Sequence, residues 1–452
     1  MQIQITPKSL SGTVLAPVSK SAAHRLLICA ALGDRPCKIR CNGTNADIEA
    51  TIACLCALGA NIQREGEDLF VTPISAAGTT HGAILDCGES GSTLRFLLPV
   101  VCALGADCTL IGHGRLPSRP LSPLYEELAA HGAILSENGK MPLTVSGKLS
   151  AGRFTIDGGV SSQFISGLLF ALPLLQKPAE IVVTGKLESA RYIDLTLEAL
   201  AAFGIVPEKT ATGWKFDGTQ RYHSPETLEV EGDWSGAAFW LVAGALPRGN
   251  ATQKRGAEGV APYNREAAPL TVTGLRADSL QGDKAIVPLL RQFGAKVEQE
   301  GDAYTVTAAP MQGILIDAAD IPDLVPILSV AAAFAQGETV IHNIARLRIK
   351  ESDRVATVLF LLGAFGVSAF ADENTLTIFG GGSDGGTPAI STPTLDSFND
   401  HRIAIAAAIC ASAAVGDAEN DTLVIETAEA VRKSYPDFYD CYRSLGGIAE
   451  KI

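Results

Sequence analysis

Six times along the chain, an apolar run breaks into a polar or Gly/Ser-rich turn, continues into a helix of small residues, and reaches a second helix that closes on glycine. The apolar landmark falls at Leu15, Leu85, Ile156, Val230, Ile316 and Leu395, giving successive intervals of 70, 71, 74, 86 and 79 residues. The closing landmark reads LCALGANI, LAAHGAIL, LAAFGIVP, LRQFGAKV, LGAFGVSA and YRSLGGIA, with its glycines at Gly59, Gly132, Gly204, Gly294, Gly366 and Gly446. A helix ends at least cost on a left-handed residue without a Cβ, and a β-branched residue after it starts a strand. These intervals are too long for a solenoid unit. They predict six α/β subdomains, three to each compact half, with the half-boundary near Gly232 and Asp233. The Pro/Gly/Arg-rich stretch 246–266 in the widest interval reads as an inserted loop.

Composition narrows the class. Of 452 residues, 47% are apolar and 45 are Gly, enough for a large core and unlike a disordered chain. The opening MQIQITPKSL alternates as a strand does and lacks the basic-then-apolar order of an export signal. The longest apolar runs, 165–175 and 327–335, fall short of the ~20 residues that span a bilayer and read as buried helices. The ten cysteines show no paired CxxC spacing, and the seven histidines form no ligand cluster, so no metal is expected and the thiols read as buried in a reducing compartment. A cytoplasmic monomer is the expectation. A net charge of -13 argues against nucleic acid as a partner.

The cations that do occur are clustered at the turns. Lys20 and Arg25 occupy the turn and first helix of repeat one, Arg115 and Arg119 follow the second strand of repeat two, and Lys350, Arg354, Arg402 and Lys433 lie in repeats five and six. An acidic chain that concentrates cations there is building a clamp for a small anion. PVSKSAAHRLLICAAL puts a Ser-Lys-Ser turn before a helix, with Lys20 and His24 on one face. Hydroxyls and an ammonium beside unpaired helix N–H groups make an oxyanion cradle. CGESGSTLRF repeats the device, with Gly88 and Gly91 admitting close backbone approach and Ser92 and Thr93 available as caps. GGVSSQFISGLLFAL offers Ser161, Ser162 and Gln163. In IPDLVPILSVAAAFA, Asp323 stands at the mouth of an apolar helix, where a cap is the plain structural alternative. RIKESDR is expected to carry Lys350, Glu351 and Arg354 in little more than one helical turn, and FNDHRIAIAAAI and RKSYPDFY add Asp400, His401, Arg402 and Lys433. Carboxylates among cations suit proton transfer on an anionic substrate.

Taken in order, SKSAAHR, GESGSTLR, SRP, SSQFISGLL, the turn Ser189 to Tyr192, IPD, KESDR, NDHR and KSYPDF strongly resemble the 5-enolpyruvylshikimate-3-phosphate synthase family over essentially the whole chain. The resemblance implies an α/β fold of two globular halves, each of three βαβαββ-type repeats, an inside-out α/β barrel. Residues 19–232 would form the first half and residues 1–18 with 233–452 the second, with the active site in the cleft between. It also implies transfer of the enolpyruvyl group of phosphoenolpyruvate to the 5-hydroxyl of shikimate 3-phosphate through a tetrahedral intermediate, in chorismate and aromatic amino-acid biosynthesis, without a cofactor. The family is inhibited by glyphosate at the phosphoenolpyruvate site.

By that resemblance, Lys20, Ser21, Arg25, Ser161, Ser162, Gln163, Ser189, Tyr192, Asp323, Arg346 and Lys350 hold shikimate 3-phosphate. Lys20, Gly91, Arg119, Gln163, Arg354, Arg402 and Lys433 hold phosphoenolpyruvate. Asp323 is the expected proton acceptor, and Glu351 or Lys20 the donor. The chain departs from the family at three places: Glu89 and Arg346 stand where Asn is familiar, and Phe96 where Pro is common, which would tilt the helix carrying Gly91. Two rivals are weighed. A UDP-N-acetylglucosamine enolpyruvyl transferase would carry a reactive cysteine where this chain reads GRLPSRP, and a non-catalytic anion-binding homologue would be expected to lose Lys20, Asp323 or Glu351, all of which are present.

Overall fold

The computed structural model describes residues 1–75, 82–247, 268–381, 387–416 and 421–452, so most of the stretch 246–266 lies outside the described residues. The chain divides into two compact units, one of Val18–Val230 and the other of Met1–Pro17 with Glu231–Ile452. Their buried apolar residues form two separate clusters, one within each unit.

Six four-stranded sheets share one pattern. An edge strand pairs in parallel with a second, and two antiparallel strands follow. In the second repeat, Ala83–Asp86 runs parallel to Cys108–Ile111, which is followed by Leu143–Gly147 and Ala133–Leu135. The helices Gly91–Leu104 and Leu124–Ala130 complete a strand–helix–strand–helix–strand–strand unit. A parallel pair needs a crossover, and a helix of about three turns spans it. The third, fifth and sixth repeats build their parallel pairs in the same way, around the helices Ser162–Ala171, Val325–Phe334 and His401–Ala413.

The other two sheets exchange strands. Gly12–Leu15 leads into helix Lys20–Ala31, yet it pairs with Leu270–Thr273, Val14 opposite Val272. Thr227–Glu229 leads toward helix Trp234–Ala245, yet it pairs with Cys37–Arg40, Leu228 opposite Ile39. The edge strand before Val230 therefore completes the sheet of repeat one. The sixth sheet is closed by Ile3–Thr6, whose Ile3 lies opposite both Ile425 and Lys451.

In the unit containing residues 231–452, the helices Trp234–Ala245, Val325–Phe334 and His401–Ala413 pack on one another, and every residue in them is buried. Their alanines and glycines keep the helix surfaces shallow enough for close packing. A helix buried on all sides leaves only its ends with which to present polar groups. Asp323 and Arg402, two of the candidate site residues, stand at N-terminal ends.

Candidate active site

Within Val18–Val230, three central helices begin on serine caps. Ser19 accepts from the Ala22 amide at 3.3 Å, Ser90 from the Thr93 amide at 3.2 Å and Ser161 from the Gln163 amide at 3.3 Å. The cap of the second helix is thus Ser90 and not the expected Ser92 or Thr93, because the helix already begins at Gly91. Each neutral cap satisfies one orphan amide and leaves the positive end of the helix dipole uncancelled.

Lys20 opens the first helix and lies 3.0 Å from Asp47, a partner the motifs had not singled out. Arg25 is buried, and its guanidinium donates to Thr196 Oγ1 at 2.9 Å and to the carbonyls of Ser21 at 2.7 Å and Tyr192 at 2.8 Å. Burial lowers its pKa to about 10, still far above neutrality. Arg25 therefore ties Ser21 to the start of the helix Ala190–Ala202, which takes up Tyr192 where a turn was expected and leaves Ser189 before it with φ at 56°. Phe96 packs its ring 5.0 Å from the Arg25 guanidinium and serves as an aromatic floor to it.

Gln163 donates to Ser92 Oγ at 2.9 Å and accepts from Arg95 at 2.7 Å. Arg95 also donates to the Pro120 carbonyl at 3.0 Å, linking Gln163 to the residue after Arg119. The signal for Arg95 was present in the sequence, as a lone cation in the run LRFLLPVV. Gly91 faces Arg119: a Cβ there would stand 2.7 Å from Arg119 Nη1. A buried chain joins the helices, running from His24 to Thr51 at 2.6 Å, Thr93 at 2.7 Å and Ser90 at 2.8 Å. Burial first, then the charges of Lys20 and Arg25, keep His24 neutral.

The other unit carries the carboxylates. Arg354 is 1% exposed and donates to Asp400 at 2.8 Å, Asp323 at 2.6 Å and Glu351 at 2.7 Å. Burial opposes its charge, but Asp400, Glu351 and Asp323 together hold its pKa above the ordinary value. Burial likewise opposes ionisation of Asp400, yet Arg354 and then His401 hold it below the ordinary carboxylate range. Asp323 also meets Lys350 at 3.3 Å and Arg402 at 3.3 Å, and Arg402 donates to the Asp323 carbonyl at 3.1 Å. Asp323 is no cap: it sits in the short turn Pro322–Leu324, and the following helix has no side-chain cap. Asp233 and Asp400 cap the other two central helices.

Lys350 and Arg354 do not share a helix as RIKESDR had led us to expect. Arg346 and Lys350 belong to the turn Ala345–Ile349 and its end, and a new helix starts at Arg354 behind the cap Asp353. Asp353 accepts from two amides, Val355 and Ala356, and this stops the preceding turn from continuing. Burial, partly offset by Asp323, lowers Lys350 to about 8. Lys433 donates to the Asn399 carbonyl at 2.6 Å, one residue before Asp400. Asp283 is a further buried carboxyl here, outside every motif read from the sequence, where QGDKA looks like an ordinary helix start.

All ten cysteines are free thiols, and among the described residues no three His, Cys, Asp or Glu side chains are grouped as a metal site. Among those residues no helix is long and apolar enough to cross a membrane.

Repeated four-stranded units with polar and charged groups at buried helix starts match the class of enolpyruvyl transferases, and solved structures agree on the fold. An EPSP synthase from Acinetobacter baumannii aligns with a TM-score of 0.77 at 22% identity, covering 100% of both chains. The enolpyruvyl transferase NikO from Streptomyces tendae aligns with a TM-score of 0.74 at 17% identity, covering 99% of this chain and 98% of that one. The family model for EPSP synthase (3-phosphoshikimate 1-carboxyvinyltransferase) matches residues 5–255 and 266–441. Relatives named 3-phosphoshikimate 1-carboxyvinyltransferase are 39% identical in Clostridium kluyveri, over 98% of this chain and 97% of the relative, and 37% identical in Clostridium botulinum over the same shares. The chain belongs to the EPSP synthase family.

Proposed function

We propose that this chain transfers the enolpyruvyl group of phosphoenolpyruvate to the 5-hydroxyl of shikimate 3-phosphate and releases phosphate, a step of chorismate and aromatic amino-acid biosynthesis. The observation that carries the reading is the cluster at Asp323: one carboxylate among Lys350, Arg354 and Arg402, with Glu351 on the same guanidinium. The chemistry needs a base for the hydroxyl, an acid for the methylene carbon, and cations for the carboxylates and phosphates. In this reading, Asp323 takes the proton of the 5-hydroxyl as its oxygen bonds to C2 of phosphoenolpyruvate, and Glu351 or Lys20 protonates C3. The tetrahedral adduct then loses a proton from C3 and expels phosphate, restoring the double bond.

Shikimate 3-phosphate is assigned to Lys20, Ser21, Arg25, Ser161, Ser162, Gln163, Ser189, Tyr192, Asp323, Arg346 and Lys350. Phosphoenolpyruvate is assigned to Lys20, Gly91, Arg119, Gln163, Arg354, Arg402 and Lys433. Both units contribute to these two sets, so the reading includes a single active site in a cleft between them. It also includes a monomer, and a place in the cytoplasm, where multiply charged phosphate esters are retained because they do not cross the apolar core of a membrane.

Phosphate release from phosphoenolpyruvate, measured by a coupled assay, tests the reading. It should require shikimate 3-phosphate and not proceed with UDP-N-acetylglucosamine. Release with the second acceptor alone would assign the chain to the sister reaction, and release with neither would leave an anion-binding homologue.

A further inference from the structure

Asp283 lies in the short turn Gly282–Ala285 and is 3% exposed. One of its oxygens receives the Ser235 hydroxyl, and the other, Oδ1, has no hydrogen-bond partner among the described residues. Ser235 Oγ also accepts from Arg402 Nη2 at 3.2 Å, and that same nitrogen stands 3.3 Å from Asp323 Oδ2. A continuous chain therefore runs from a buried oxygen without a partner, through one hydroxyl and one guanidinium, to the carboxylate assigned as base.

The charged groups facing Asp283 are Asp323 from its short turn, Arg402 from the helix His401–Ala413, and Asp233 from the cap of Trp234–Ala245. Two of the three repel a carboxylate. A buried carboxylate with an unmatched oxygen costs several times more than the neutral acid in the same place. Burial, then Asp323, raise Asp283 to about 7 in spite of the attraction of Arg402.

We propose that Asp283 is a positioning residue for the phosphoenolpyruvate site: as a neutral acid it leaves Arg402 aimed at Asp323 and the incoming anion, and as a carboxylate it draws Arg402 back through Ser235. The ionised form obliges Ser235 to donate to Asp283, which turns the hydroxyl lone pairs toward Arg402 and strengthens that bond at the expense of the ligand. The inference rests on the functional reading above for the identity of the anion.

Two readouts separate it from that reading. Infrared spectra of the unliganded protein should show the carbonyl stretch of a protonated carboxyl at pH 6, fading as pH rises through neutrality and missing in Asp283→Asn. Sulfate, whose charge is constant over this range, serves as the anion probe. Its affinity by calorimetry should fall by about tenfold from pH 6 to 8 in the wild type, the weight of one charge-assisted hydrogen bond, and by much less in Asp283→Asn, where Lys350 is left to titrate at the top of this range. Ser235→Ala, which keeps the carboxyl but breaks the chain, should retain the infrared band and show the same reduced pH dependence of sulfate binding as Asp283→Asn, so the test does not hang on one variant folding. KM for phosphoenolpyruvate should follow sulfate affinity, with kcat changing less. The proposal is overturned if no carboxyl band titrates near neutrality, or if Asp283→Asn keeps the wild-type fall in sulfate affinity. Both results as expected, with no turnover of phosphoenolpyruvate, would leave the positioning role standing and reject the functional reading.

Discussion

Asp323 holds three cations, and its removal has two separable effects. Asp323→Ala deletes the proposed base but also leaves Lys350, Arg354 and Arg402 with more unbalanced positive charge, which favours anionic ligands. We expect kcat to fall ~10²–10⁴-fold, the range typical of general acid–base groups, with shikimate 3-phosphate affinity kept or slightly increased. A fall below tenfold would reject the assignment. Lys350 gives a prediction in pH. In the proposed reading its charged form binds the anion, and because burial lowers it to about 8, that form is complete well below pH 8 and is lost as pH rises through 8. KM for shikimate 3-phosphate should therefore climb above pH 8 in the wild type. In Lys350→Arg, whose guanidinium stays charged, the climb should be absent; its persistence would exclude Lys350 as the cause.

At the level of elements, the helix starts were legible and the breaks between them were not. Polar turns before apolar helices locate the three helix starts, since a buried helix must satisfy its first amides locally, but the cap of the second falls on Ser90 and not on Ser92 or Thr93. The interruption between Lys350 and Arg354 escaped because Asp353 reads equally well as a helix-interior acid or a cap, and only the tertiary position of Arg354 decides between them. Asp47 and Asp283 escaped for a related reason. Each contacts another candidate side chain, and a role of that kind leaves no spacing in the sequence, whereas Arg95 was marked as a lone cation in an apolar run. The start of the helix Gly91–Leu104 carries its own prediction. A methyl group at Gly91 would meet Arg119 Nη1 at 2.7 Å and Cζ at 3.0 Å, so the guanidinium must shift. Gly91→Ala should thus weaken both phosphoenolpyruvate and glyphosate, and glyphosate more because it is the longer ligand. Equal losses in the two inhibition and saturation curves would contradict the steric account.

For the whole molecule, the proposed site divides its cations between two units, Lys20, Arg25 and Arg119 in one and Arg354, Arg402 and Lys433 in the other. Polyanionic ligands that bridge both sets have higher affinity for a state in which the units approach, and that difference is what a ligand-driven closure requires. Shikimate 3-phosphate with glyphosate should then reduce the radius of gyration in solution scattering; an unchanged curve at saturation would remove closure from the mechanism. The six repeats were legible because helix-closing glycines recur, and the resemblance placed residues 1–18 with 233–452, whereas the pairing of Thr227–Glu229 with Cys37–Arg40 was not legible, since alternation marks a strand without naming its neighbour. The exchange of strands bears on the order of synthesis. Residues 1–17 leave the ribosome ahead of both units' remaining residues, but Ile3–Thr6 and Gly12–Leu15 find their partners only at 423–426, 448–451 and 270–273, after Val18–Val230 is complete. Until then they are unpaired strands, exposed to wrong partners. Because the Ile452 amide bonds the Gln2 carbonyl at 3.3 Å, a short linker from residue 452 to residue 1 with a new start at Val18 would make both units continuous in sequence. Such a permuted chain should keep every sheet pairing and leave a larger soluble fraction when expressed at an equal rate, because Ile3–Thr6 and Gly12–Leu15 would emerge after their partners.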